Sequence, residues 1–249
     1  MLAALAALAA ASVVVHPPAD DRPARGFIFE ELTLSGRTYP YVVYVPRDYD
    51  AGKKWPVILF LHGAGECGSD GLKPVAQGIG QAVLWDPTRW PFLIVIPQKP
   101  EVRDAWEDHD EAVMAMLDNV IKKYSVDENR QYLTGLSQGG HGTWVLGARH
   151  ASRWAAIAPI CGYGKPAEIA PALKDMPIWC FHGDADKAVP LEKSQQIVDA
   201  IKAQGGQPRF TVYPGVGHNS WDKAYREEPL PAWFLSHTRQ PQALEGKKP

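Results

Sequence analysis

Cysteine is scarce in this chain. Cys67, Cys161 and Cys180 are the only three among 249 residues. That odd number is too small for a disulfide framework, and no Cys-x-x-Cys pair offers a zinc site. Cys180 lies inside an apolar run from Ile178 to Phe181 and Cys161 closes another, so buried thiols packing as small hydrophobes are expected. A surplus of positive charge is missing as well. Lys and Arg number 26 against 28 Asp and Glu, a formal charge of -2, so no basic stripe is available to neutralise phosphates and nucleic acid is not an expected partner. Repeats and low-complexity linkers are absent. What remains is an ordinary composition, 45% hydrophobic, in a chain long enough to bury one sizeable core.

No apolar run reaches the roughly 20 residues needed to cross a bilayer. The nearest approach is the uncharged Ala/Leu/Val stretch over residues 1–15, followed by Pro17-Pro18 and a charged segment. It reads as the apolar part of a signal peptide, although no Lys or Arg precedes it. Residues 1–25 are therefore taken as a leader, residues 26–238 as one domain and residues 239–249 as a polar tail. Export to the periplasm or the medium is the expectation, with no membrane span left after processing.

Within the domain, Phe27 to Leu34 and Tyr39 to Val45 are β-rich and separated by Ser35-Gly36, the pattern of an antiparallel hairpin. From Trp55 onward short continuous apolar runs alternate with amphipathic stretches, as a parallel sheet with helical crossovers requires. The runs are Val57 to Leu61, Phe92 to Ile96, Gln131 to Thr134, Ala155 to Ile160, Ile178 to Phe181 and Phe210 to Tyr213. Helices are expected from about Glu107 to Tyr124, from Pro190 to about Ala203, and from Pro231 to Ser236. About sixteen residues separate Ile160 from Ile178, too few for a large cap domain.

Three stretches at the ends of these strands carry chemistry. The first, Gly135-Leu-Ser-Gln-Gly139, places a serine where a strand stops and a helix begins. Glycines on either side let the backbone fold sharply, so Ser137 projects as a nucleophile and the Gln138 amide points at a developing oxyanion. The second, Leu61-His-Gly-Ala-Gly-Glu-Cys-Gly68, can turn a further amide, assigned to Ala64, toward the same place. His62 sits on the strand side of those glycines and is read as a brace. Glu66 is expected to anchor its own loop through an arginine. The third group comprises Asp184 and Asp186 after Phe181-His-Gly183, and His218 in Gly217-His-Asn-Ser-Trp221. Asp186 is placed ahead of Asp184, because its spacing from Gly183 leaves room for a turn back over the sheet. His218, on a glycine-flanked loop, is preferred as the base.

These motifs, in the order Ser137, Asp186, His218, resemble those of single-domain α/β-hydrolase esterases of the dienelactone-hydrolase-like, feruloyl-esterase-like and polyhydroxybutyrate-depolymerase-like group. The likeness covers most of residues 27–236. It implies an α/β-hydrolase fold: a mostly parallel, doubly wound sheet with an N-terminal antiparallel hairpin and no large cap. It also implies a serine carboxylesterase with Ser137, His218 and Asp186 as catalytic triad, Ala64 and Gln138 as oxyanion hole, and no cofactor or metal. The substrate expected is a small-molecule or polysaccharide-linked ester. Dienelactone hydrolases proper usually carry a cysteine nucleophile, so Ser137 points to the serine esterases. Trp106 and Trp221 are candidate pocket walls for an aryl group or a sugar face. Two rivals stand beside this reading. Prolyl-oligopeptidase-like serine peptidases share the triad order, but usually bring an N-terminal domain for which about twenty-five residues leave no room. A binding protein that kept only the fold should have lost a triad member.

Overall fold

The structure is a computed structural model describing residues 24–239. The leader, apart from its last two residues, and the tail beyond Arg239 lie outside the described residues. Eight strands form one sheet: β1 (Gly26–Leu34), β2 (Arg37–Val45), β3 (Trp55–Leu61), β4 (Leu93–Pro97), β5 (Val126–Leu136), β6 (Ala156–Ile160), β7 (Trp179–Gly183) and β8 (Arg209–Tyr213). Their spatial order is β1-β2-β4-β3-β5-β6-β7-β8. β1 pairs antiparallel with β2, and β2 with β4, while every other pairing is parallel. The hairpin turn is made by Ser35 and Gly36, with φ of 51° and 77°. Two consecutive left-handed residues give a turn whose twist matches that of the strands it joins.

Among the described residues the α-helices are α1 (Ile79–Trp85), α2 (Asp110–Lys123), α3 (Gln138–Arg149), α4 (Pro166–Leu173), α5 (Glu192–Ala203), α6 (Trp221–Arg226) and α7 (Leu230–Leu235). Successive residues of a strand point to opposite faces. Val57, Leu59 and Leu61 of β3 therefore pack with residues of α2, α3, α4 and α5. Ile58 and Phe60 pack on the other side with α1, α6 and α7. Burial on both faces is why the central strands read as unbroken apolar runs.

The expected elements are present, with shifted ends. β5 begins at Val126, five residues before the apolar run, because its first half is a partly exposed Asp-Glu-Asn-Arg segment reached only by the start of β3. The helix expected from Glu107 starts instead as a 3-10 turn over Trp106–His109, with Ala105 N–H bonded to the Asp108 carboxylate at 2.8 Å, and becomes α-helical at Asp110. Helices α1, α4 and α6 have no counterpart among the expected elements. They span six to eight residues. No described helix is long and apolar enough to cross a membrane.

Candidate active site

The site lies beyond the carboxyl ends of the parallel strands, the place where open α/β sheets bind ligands. β5 ends at Leu136 and α3 starts at Gln138, so Ser137 makes the whole turn. It does so at φ 56°, ψ -116°, a strained conformation for a residue with a side chain. The glycines on either side permit it by giving up volume. A Cβ on Gly139 would lie 1.8 Å from the Leu61 carbonyl oxygen, and one on Gly135 would lie 2.4 Å from the Gly139 carbonyl oxygen. The Ser137 amide donates to the Ile160 carbonyl at 3.0 Å, fixing the turn to β6.

Two loops from neighbouring strands meet this serine. The loop after β7 and the loop after β8 interlock, since a Cβ on Gly183 would lie 2.1 Å from the Val216 carbonyl oxygen. Asp184 ties them together by accepting the Gly215 amide at 2.6 Å. Asp186 thus becomes the residue that faces inward. Its Oδ1 accepts the Ala188 and Val189 amides, both at 2.9 Å, and its Oδ2 lies 2.7 Å from His218 Nδ1. On the other side of the ring, His218 Nε2 lies 2.9 Å from Ser137 Oγ, 81 residues away in sequence. Burial alone would raise the Asp186 carboxyl. The His218 hydrogen bond and the two amides outweigh it and hold the group below its ordinary value.

The loop after β3 is a 3-10 turn over Ala64–Glu66. His62 at its base is fully buried. It donates from Nδ1 to the Gly63 carbonyl at 2.6 Å and accepts the Lys99 amide on Nε2 at 3.0 Å, which fixes its tautomer. Burial drives its pKa down to about 3, against the Gly63 hydrogen bond, so it stays neutral and serves as a brace. Glu66 does anchor the loop, by accepting the Gly63 amide at 3.0 Å rather than through an arginine. Ala64 and Gln138 both line the cavity that holds Ser137 and His218.

The two tryptophans do not form its walls. Trp106 is 1% exposed and reaches only a small side cavity. Its ring takes the space a Cβ on Gly142 would need, 2.8 Å from the nearest ring atoms, and its Nε1 donates to the His62 carbonyl at 3.1 Å. It therefore ties the end of β3 to α3. Trp106→Ala is expected to cost about 3–5 kcal/mol of stability in urea unfolding, the range for emptying a buried aromatic site. Trp221 is also buried and stands edge-on behind the His218 ring, with centroids 5.3 Å apart.

The aromatic wall comes from Tyr163, which sequence reasoning missed. The main cavity has a volume of about 720 Å³; Tyr163, His141, Ala188, Val189 and Pro190 line it, with exposed Lys165 and Lys193 at its edge. His141 stacks on Tyr163 at 4.6 Å and 14°. Its Nδ1 lies 2.9 Å from the Tyr163 carbonyl and its Nε2 3.1 Å from both Glu107 carboxylate oxygens. Both nitrogens thus face acceptors, a geometry that suits the imidazolium. Burial works against that charge, but Glu107 and the carbonyl prevail and His141 is raised. Glu107 is lowered, chiefly by its bond to His141. The only sequence signal was a histidine one helical turn after Ser137.

This pair should leave a pH signature. A raised histidine contributes stability that is complete below its ordinary value of 6.5 and is lost as pH rises through the raised one. A lowered carboxylate contributes above its ordinary 4.5 and loses that only as pH falls through the depressed value. The pair therefore stabilises most between these two ordinary values. The melting temperature of the wild type should exceed that of Glu107→Gln most clearly at about pH 5.5–6, with the gap narrowing as pH rises above His141's ordinary value.

One group of donors at the site has the makings of a metal set. Cys161, Asp186 and His218 each offer an atom within 4.8 Å of the others. The hydrogen bond between Asp186 and His218 already occupies two of them, and burial pushes the Cys161 thiol up to about 12, which disfavours a thiolate ligand. All three cysteines are free and buried.

Against known proteins, residues 97–228, more than half of the chain, match the model of the dienelactone hydrolase family. The chain belongs to that family. It is 26% identical over 217 residues to a Nocardia uniformis subsp. tsuyamanensis protein named "Putative esterase NocK", covering 81% of this chain and 63% of that one. The crystal structure of a thermostable esterase superposes with a TM-score of 0.75 at 32% identity, over 86% of this chain and 63% of the other. A feruloyl esterase module from Clostridium thermocellum, in an S954A mutant complexed with sinapinate, has a TM-score of 0.68 at 21% identity, over 90% and 95% of the two chains. The α/β-hydrolase fold expected from the sequence is thus the one found. The chain spans slightly less than two thirds of the length of the Nocardia relative.

Proposed function

We propose that the protein is a serine carboxylic-ester hydrolase, with residues 26–238 as its catalytic domain, working through Ser137, His218 and Asp186 and an acyl-enzyme. The observation that carries this reading is the unbroken chain from Asp186 Oδ2 through His218 to Ser137 Oγ, at 2.7 and 2.9 Å. In it Asp186 holds the Nδ1–H tautomer, leaving Nε2 free to take the Ser137 proton as Oγ attacks the ester carbonyl. The Ala64 and Gln138 amides receive the oxyanion, a contribution on the order of 3 kcal/mol for one donor. His218 then protonates the leaving alcohol, and water attacks the acyl-enzyme by the reverse route.

Short-chain, aryl or carbohydrate-linked esters suit the site best. An open cavity of about 720 Å³ with a stacked Tyr163–His141 wall supports an aryl or sugar-linked group at that side. The apolar leader supports export to the periplasm or medium. A fluorophosphonate probe should label Ser137 and no other serine. Across p-nitrophenyl acetate to octanoate, methyl ferulate and acetylated xylan, the short, aryl or sugar-linked members should turn over fastest. Faster cleavage of a peptide amide would favour the peptidase reading, and a preference for octanoate would refute the substrate class.

A further inference from the structure

Cys67 and Lys99 meet where nothing in the ester chemistry requires them. Lys99 follows β4 and is 1% exposed; Cys67 follows the oxyanion turn and is 8% exposed. Lys99 Nζ lies 3.3 Å from Cys67 Sγ and 2.7 Å from the Glu101 carbonyl. Among the described residues no carboxylate pairs with this amine, although buried ammonium groups ordinarily have one. The approach does not depend on a flexible reach. The Lys99 amide is held by His62 Nε2 at 3.0 Å, and its carbonyl accepts the Gly68 amide at 3.1 Å. The backbone on both sides of the contact is thus already clamped.

We propose that Cys67 and Lys99 form a reversible oxidative cross-link in which one oxygen atom bridges sulfur and nitrogen. The reaction joins the thiol, the primary amine and dioxygen to give an N–O–S bridge and water. One oxygen atom becomes the bridge and the other leaves as water, with one hydrogen from nitrogen and one from sulfur. Nitrogen and sulfur each give up two electrons, and dioxygen takes all four. Two equivalents of a dithiol return the four electrons, release the bridging oxygen as a second water and restore the amine and the thiol. Geometry favours an inserted oxygen over a direct bond. A sulfur–nitrogen bond would need the atoms to close to about 1.7 Å, whereas the bridge holds them about 2.6 Å apart, nearer the observed 3.3 Å. The other two thiols, Cys161 and Cys180, are wholly buried, and among the described residues no amine hydrogen-bonds to either. The bridge would staple the Ala64–Glu66 turn to the end of β4, and so act on the loop that carries the proposed oxyanion donor.

Intact mass spectrometry of the aerated full-length protein tests this without reference to esterase activity. A population about 14 Da heavier is expected, distinct from the roughly 16 Da of methionine sulfoxide. It should disappear with dithiothreitol and be absent from Cys67→Ser and Lys99→Arg. Digestion without reductant should yield the peptides containing Cys67 and Lys99 as one linked species. The proposal is overturned if, after equilibration with dioxygen, Cys67 alkylates completely in denaturant without reductant. It is equally overturned if oxidation adds only about 16 or 32 Da to Cys67 alone.

Discussion

Ser137→Ala should lower kcat for an aryl acetate by about 10⁴- to 10⁶-fold while leaving KM within a few-fold of wild type. Ser137 Oγ bonds His218 and nothing else in the site, so its removal abolishes the nucleophile without emptying the cavity. The residual rate is what the oxyanion amides and binding can give to water attack. The fold should persist, because the clamp at this turn is made by backbone: the Ser137 amide on Ile160 and the glycine contacts at Gly135 and Gly139. Steady-state kinetics with an unfolding curve on the same preparation would check both halves. A variant that keeps full turnover removes Ser137 from the mechanism.

Asp186→Asn should cost about 10⁴-fold in kcat at neutral pH, by imposing the wrong tautomer on His218. Oδ1 receives two backbone amides, from Ala188 and Val189. In the variant the asparagine oxygen must stay there, which turns its NH₂ toward His218 Nδ1. That nitrogen must then accept, and the ring proton moves to Nε2, facing the serine. Asp184→Asn is the control, since an amide oxygen can still accept the Gly215 amide; its kcat should stay within a few-fold. Equal losses in the two variants would mean that the acid has been misplaced.

Some of this site was legible in the sequence because strand ends and glycines mark it locally. Gly135 and Gly139 announce a turn that no other residue type could make, given contacts of 2.4 and 1.8 Å for an added Cβ. Each catalytic candidate sits just past an apolar run, and fully buried strands leave such runs in the sequence. The assignments of Trp106 and Trp221 failed for a different reason. Being near a motif in sequence says nothing about which side of the sheet edge a ring occupies, and both rings are buried rather than facing the main cavity.

What the sequence by itself determined, then, was the alternation of strands and helices, the antiparallel start and the order of the three chemical motifs. These depend on neighbours along the chain, through periodicity, turn chemistry and burial on both faces. Only the tertiary structure decided which of Asp184 and Asp186 faces His218, because the interlock of two loops assigns Asp184 to Gly215. It alone brought His141 onto Tyr163 and Glu107, and Lys99 onto Cys67, 32 residues apart. Such contacts are made across packed elements, where distance is set by the sheet order and the helices laid on it, and no local pattern encodes that distance.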